Sequence, residues 1–137
     1  MLNLRKWRKK IQEWLDEDLM EGDVSTDSLF TEDTTKDAWI VAKENGIVAG
    51  LPFAKMVFEE LDPSVQMEIL IQDGTPVQRG DVLMKLHGPM SILLAGERLA
   101  LNILQHLSGI ATLTSHYVKQ VEGLKVRIVD TLSLIHI

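Results

Sequence analysis

Apolar residues in the first twenty positions recur at three- and four-residue spacing. Leu4, Trp7, Ile11, Trp14, Leu15 and Leu19 fall on one stripe, which predicts an amphipathic helix from residue 4 to about 19. Gly22 supplies a stop, and Asp23-Val24-Ser25-Thr26 begins a loop. From Asp37 the period shortens to that of strands. Residues 38–42 and 46–50 read as two short strands, or a hairpin, joined near Glu44-Asn45-Gly46, where Asn-Gly is a turn pair. Phe53, Met56, Val57 and Leu61 share one face of a short helix over residues 53 to about 61. Residues 65–71 alternate as a half-buried strand, Asp73-Gly74-Thr75-Pro76 and Arg79-Gly80-Asp81 turn, and residues 82–86 return as a strand. Gly88-Pro89 opens the longest helix, with proline suited to its first turn. Its residues Ile92, Leu93, Leu94, Ala95, Leu99, Ala100, Leu101, Ile103, Leu104 and Leu107 leave almost no solvent face, so it is expected to be buried in a core or at a subunit interface. Ser108-Gly109 is expected to interrupt it, with a second helix from Ile110 to about Glu122 and, after Gly123, a strand over residues 125–131. These elements make an α+β chain: a small, mostly antiparallel sheet sandwiched with helices.

Composition agrees with a globular domain and narrows its class. The 137 residues amount to about one domain, and a closed β/α barrel, which takes roughly 250, does not fit in them. Hydrophobic residues at 45% and charged residues at 25% exclude disordered, collagenous and coiled-coil classes. Fourteen Lys and Arg against 20 Asp and Glu give a net charge of −6, which speaks against a general nucleic-acid binder. It still permits an anionic substrate in one local basic pocket. The absence of cysteine removes disulfides, thiolate catalysis, zinc fingers and iron–sulfur ligation together. The basic run Leu4-Arg5-Lys6-Trp7-Arg8-Lys9-Lys10 begins like a signal peptide, but Gln12, Glu13, Asp16, Glu17 and Asp18 follow where an apolar region is required. That run is read as a solvated helix face. With no uncharged stretch long enough to span a membrane, a soluble cytoplasmic protein is expected, with neither nucleic acid nor membrane as partner.

Several candidate chemistries fail on spacing. A calcium loop counted from Asp16 would need D-x-D/N-x-D/N-G and a glutamate at the twelfth position, where the chain has Met20, Glu21 and Asp27. Ser108 has no nucleophile elbow around it, and no glycine-rich phosphate loop is present. The run from Asp73 to Leu83 has the D-G-x-x-V-x-x-G-D-x-L cadence of biotinyl and lipoyl carrier domains. Lys85, however, stands inside a predicted strand after the cadence rather than at a hairpin tip ahead of it. The cadence is read as shared turn geometry, with glycines at sharp corners.

One polar stripe on the long helix is different. Arg98, Asn102 and either Gln105 or His106 follow one another at helical spacing on an otherwise oily rod. Of the five arginines, only Arg98 has an apolar setting. A guanidinium there needs a carboxylate, a phosphate or a partner chain. An internal salt bridge with Glu97 or another acid would satisfy it equally, and His106 on the same stripe reads first as a packed or hydrogen-bonded histidine.

Three stretches taken together resemble one family. Glu17-Asp18-Leu19-Met20-Glu21-Gly22-Asp23-Val24-Ser25-Thr26 is similar to an E-D-L-x-x-G-D-x-T-T opening, and Gly46-Ile47-Val48-Ala49-Gly50, followed by Val57-Phe58, to a G-x-x-A-G strand and helix. Gly96-Glu97-Arg98-Leu99-Ala100-Leu101-Asn102, running on to Ser108-Gly109-Ile110-Ala111-Thr112, resembles the E-R-T-A-L-N and S-G-I-A-T signature of quinolinate phosphoribosyltransferases. Leu99 stands where that family usually has threonine.

The resemblance implies a reaction. Quinolinate and phosphoribosyl pyrophosphate, with Mg²⁺, would give nicotinate mononucleotide, carbon dioxide and pyrophosphate, the step that joins de novo synthesis to the NAD pathway. It implies the N-terminal domain of a type II phosphoribosyltransferase over residues 1–112 and the start of an α/β barrel, ending in its first strand, over 113–131. It implies a homodimer in which Arg98 enters the partner's site and holds substrate carboxylate, with Thr131 also at substrate. The family continues D-T-R-K-T after its first barrel strand, whereas here Asp130-Thr131 is followed by Leu132-Ser133-Leu134-Ile135-His136-Ile137. Those six residues are also what CTG TCT CTT ATA CAC ATC encodes, the end sequence of transposase-based libraries. Residues 132–137 are therefore expected to be a non-native tail, no catalytic or metal-binding residue is expected in the chain, and it should be inactive alone. Two other readings stand beside this one: a molybdenum-transport-associated paralogue of the same fold, and a non-catalytic interaction module that docks through the long helix.

Overall fold

The computed structural model describes residues 3–20 and 34–129. The loop beginning at Asp23, residue Thr131 and the tail 132–137 lie outside the described residues.

Helix α1 (Leu4–Met20) forms as its apolar period predicts, with Ile11 and Leu15 buried in the core. Trp7 packs edge-on against Phe53 with ring centroids 5.4 Å apart. Its basic face is not wholly solvated. Arg8 donates to Glu59 at 3.0 Å and to Glu60 at 3.1 Å, and Gln12 donates to Glu60 at 2.6 Å. These bonds, that to Glu60 foremost, raise the Arg8 pKa above the ordinary arginine value.

Strand β1 (Thr35–Val41) is followed by the two-residue β2 (Gly46–Ile47), helix α2 (Leu51–Leu61), β3 (Gln66–Ile69), the two-residue β4 (Pro76–Val77) and the long β5 (Val82–Pro89). Of the two readings of residues 38–50, two separate short strands is the one observed, and the hairpin does not form. β1 pairs antiparallel with β5 from Thr35↔Pro89 to Val41↔Val82, β3 flanks β5 on the other side, and β2 pairs with β4 in a separate small sheet. The long partner wins because it aligns apolar rows. Ala38, Leu86 and Met67 lie side by side, as do Ile40, Met84 and Ile69, and these rows face the core. The opposite face carries Trp39, Lys85, His87 and Glu68, all exposed.

Helix α2 begins at Gly50, whose φ of 102° suits a residue without Cβ. The Asp73 carboxylate, from the turn before β4, accepts the Gly50 and Leu51 N–H groups at 3.0 and 3.1 Å and so caps α2 from a distance. The cadence of turn glycines has the geometry expected of it, with positive φ at Gly74 and Gly80.

The long helix departs from expectation in its length. It is one unbroken element, α3 (Met90–Gln120), with no interruption at Ser108-Gly109. A glycine inside a helix costs only about 1 kcal/mol, and the Ser108 and Thr112 hydroxyls are bonded to the β2 segment, which holds this part of the helix in place. The apolar residues expected to be covered, Ile92 to Leu107, are buried or half-buried, and the exposed apolar positions lie further along α3. Leu93, Gly96, Ala100 and Leu104 face the core, while Ile110, Leu113, Tyr117 and Val118 are exposed. The strand expected at 125–131 is absent over the described residues 125–129. No strand pairs with them among the described residues, and in this exposed segment water takes the N–H and C=O groups that a ladder would otherwise pair. The architecture is thus α+β, with two small antiparallel sheets, neither of them a barrel, and helices packed on one core.

Candidate functional site

The middle of α3 is divided into two faces by its sequence. Leu93, Gly96, Ala100 and Leu104 recur at three- and four-residue spacing and turn inward. Gly96 brings α3 close to α2, because a Cβ there would stand 2.6 Å from Phe58 Cε1 and 3.1 Å from Leu61 Cδ1. The opposite face carries Arg98, Asn102 and Gln105, all exposed.

Arg98 is therefore not set among apolar groups as the sequence suggests. Its side chain is 63% exposed, and Nη1 lies 3.4 Å from Oδ1 of Asp18 at the end of α1. The acid that answers it is 80 positions away in sequence, not the adjacent Glu97. Asp18 is the better covered partner, with its side chain 21% exposed.

Arg98, Asn102 and Gln105 line one concavity of about 400 Å³ with Asp18, Leu94 and Leu101. The choice between Gln105 and His106 is thereby resolved for this hollow. His106 lines a neighbouring one with Trp14, Glu17 and Asp18. The carboxylates of Asp18 and Glu97 line the Arg98 hollow too, so the one cation is outnumbered, and a small anionic group can be received only where the free part of the Arg98 fork and the amides of Asn102 and Gln105 face it. Thr131 cannot be placed with them, since it lies outside the described residues.

Two features were not evident in the sequence. Asp18 was legible only as part of an acidic motif, and its partner came from a motif far along the chain. On the outer sheet face His87 Nδ1 lies 2.6 Å from Asp37 Oδ1, a pair set side by side by strand register. Lys85 is exposed in mid-strand between Trp39 and Glu68, not at a hairpin tip where a carrier lysine stands. Among the described residues no group of three or more His, Asp or Glu side chains could hold a metal ion, and no helix is long and apolar enough to cross a membrane.

Comparison with known proteins agrees with the fold. Residues 23–108 match the family model described as quinolinate phosphoribosyl transferase, N-terminal domain. A Synechocystis sp. protein named "Probable nicotinate-nucleotide pyrophosphorylase (carboxylating)" is 44% identical over 121 residues, covering 88% of this chain and 41% of that protein. A Bacillus subtilis protein of the same name is 39% identical over 130 residues, covering 95% of this chain and 45% of its own length. The chain thus spans less than half the length of these relatives. Among solved structures, NadC from Streptococcus pyogenes superposes with a TM-score of 0.82 at 34% identity, over 88% of this chain and 44% of that one. The nicotinate-nucleotide pyrophosphorylase from Francisella tularensis gives 0.82 at 30% identity, over 90% and 44%.

Proposed function

Because the chain belongs to the quinolinate phosphoribosyl transferase N-terminal domain family, we propose that it serves a quinolinate phosphoribosyltransferase. That enzyme would make nicotinate mononucleotide, carbon dioxide and pyrophosphate from quinolinate and phosphoribosyl pyrophosphate. The observation that carries this reading is Arg98, a helix-borne guanidinium turned outward into a hollow it shares with Asn102 and Gln105.

Both substrates are polyanions, while the chain carries a net charge of −6. Binding them demands local cationic groups, and a guanidinium matches a carboxylate better than an ammonium does. In this reading Arg98 takes a quinolinate carboxylate in the site of a second copy of the chain, so that the enzyme is a homodimer with shared sites. Its work is positioning. As pyrophosphate departs, positive character develops on the ribose, and a fixed dicarboxylate presents the pyridine nitrogen to that carbon. Thr131, the division of the chain at 112/113 between sandwich domain and barrel, and a cytoplasmic setting belong to the same proposal. Mg²⁺ would neutralise phosphate charge on phosphoribosyl pyrophosphate, and the described residues offer no ligand set for it.

The test is a chimera of residues 1–131 of this chain with the remaining portion of the Bacillus subtilis relative. Arg98→Ala should raise the KM for quinolinate about 30-fold or more, the scale of losing one partner of a buried charge pair. Arg98→Lys should recover part of that loss. Near-normal quinolinate kinetics in Arg98→Ala would remove Arg98 from the substrate site.

A further inference from the structure

We propose that Asp18 is a positioning residue for Arg98, holding Nη1 so that the rest of the guanidinium faces the cavity and can take a ligand carboxylate. The inference rests on the reading of Arg98 as a quinolinate contact.

The two partners are not equally fixed. Asp18 extends the stripe of α1 formed by Ile11 and Leu15, which are 0% and 4% exposed, at spacings of four and three residues. Its backbone is thus pinned by the core, and its side chain is 21% exposed. Arg98 is 63% exposed and hangs on a long, flexible stem that would otherwise sample many rotamers. Among the described residues the contact engages Nη1 alone, at 3.4 Å. That length marks a weak bond, and the contact leaves the Nε and Nη2 side of the fork turned away from Asp18. Asp18 and Arg98 line the same hollow with Asn102 and Gln105, so the direction Asp18 imposes lies along the cavity wall. The contact also joins two motifs that the sequence keeps apart, Glu17-Asp18-Leu19 and Glu97-Arg98.

A competing role is available to the same acid. A carboxylate beside the hollow, Glu97 as well as Asp18, repels an anionic ligand, and if Asp18 acted chiefly that way its removal would tighten binding. The covered, core-fixed setting of Asp18 favours positioning.

Two measurements test this. On the 137-residue chain itself, the order parameter of the Arg98 Nε–Hε bond should fall in Asp18→Ala to that of an unrestrained surface arginine, with Asp18→Asn intermediate because its amide oxygen still accepts. An unchanged order parameter overturns the proposal. In the chimera, Asp18→Ala should raise the quinolinate KM about fivefold, the upper end for an exposed ion pair. The turnover number and the KM for phosphoribosyl pyrophosphate should hold. The double variant Asp18→Ala/Arg98→Ala should match Arg98→Ala alone, a non-additivity that a merely structural acid would not produce. A lowered or unchanged quinolinate KM, or additive losses, would overturn the role of Asp18. If Arg98→Ala is itself silent, the reading of Arg98 has failed rather than the ordering of its side chain by Asp18, which the order parameter reports separately.

Discussion

Ser108 Oγ accepts a hydrogen bond from the Ala49 N–H at 3.0 Å and lies 3.2 Å from the Ala49 carbonyl, to which it can donate. One turn further along α3, Thr112 Oγ1 accepts the Ile47 N–H at 2.9 Å and reaches its own helix at the Ser108 carbonyl, 2.7 Å away. Four residues of helix rise about 6 Å, and two residues of strand about 6.6–6.8 Å. A hydroxyl at every fourth helical position can therefore meet every second N–H of an extended segment. The helix face behaves as a neighbouring strand. Gly46 permits the approach, since a Cβ there would stand 2.8 Å from Thr112 Oγ1. The G-x-x-A-G and S-G-I-A-T stretches are two halves of one contact.

Removing those hydroxyls should loosen the segment more than it disturbs the core. Ser108→Ala leaves the Ala49 amide without its partner, at a cost of about 1–3 kcal/mol. The shift in urea midpoint measures that cost, and Thr112→Val should cost a similar amount. Amide exchange at Ile47 and Ala49 should accelerate before exchange at Met84 does. Uniform acceleration throughout the chain would mean that the contact is not local.

Gly96 makes a sharper case. Its Cβ would meet Phe58 Cε1 at 2.6 Å and Cδ1 at 2.8 Å, and Phe58 is itself 3% exposed with little room to move. Gly96→Ala should destabilise by about 1–3 kcal/mol through overpacking, despite the better helix propensity of alanine. Phe58→Leu in the same chain should recover part of the loss. Thermal unfolding of the single and double variants would show the recovery, and strictly additive losses would count against the clash.

What the sequence discloses and what it hides follow from the range of each signal. The α1 period and the alternation of β3 and β5 are local, and all three elements form in the stretches the pattern marks. Pairing is not local. Asn45-Gly46 is a genuine turn signal, yet Asn45 Oδ1 accepts the Arg79 N–H at 2.9 Å, so it docks a distant turn instead of closing a hairpin. Ser108-Gly109 reads as punctuation because local propensity omits hydroxyls bonded to a segment some sixty residues earlier. Arg98 could be singled out by its type and spacing. Its exposure could not, because an apolar period does not distinguish a core from a surface.

Asp62 gives the acid side of the stability profile. Hydrogen bonding from Ser64, by its side chain first and then its backbone N–H at 2.8 Å, lowers the Asp62 pKa below the ordinary 3.8. A carboxylate depressed in the folded state contributes stability above its unfolded pKa and loses it as pH falls through the folded value. The carboxyl resonance of Asp62 should therefore titrate below 3.8. The gap in urea midpoint between wild type and Asp62→Asn should be present at neutral pH and vanish in acid. A gap that persists in acid would trace the effect to turn geometry instead of charge.

The second half of α3 predicts how the isolated chain behaves in solution. Ile110, Leu113 and Tyr117 are spaced by three and four residues, so they form one stripe on the helix, and they are 53%, 57% and 52% exposed. Val118, beside them, is 49% exposed. Contiguous apolar surface of this kind seeks cover, and two copies can supply it symmetrically. The 137-residue chain should sediment as a dimer or larger species, with the average mass rising with concentration. Leu113→Glu with Tyr117→Glu should yield a monomer of unchanged helicity, since both side chains point to solvent. Charges placed there cost the folded monomer little and the associated form a great deal. A wild-type chain that stays monomeric over the whole concentration range would show that this stripe does not drive association.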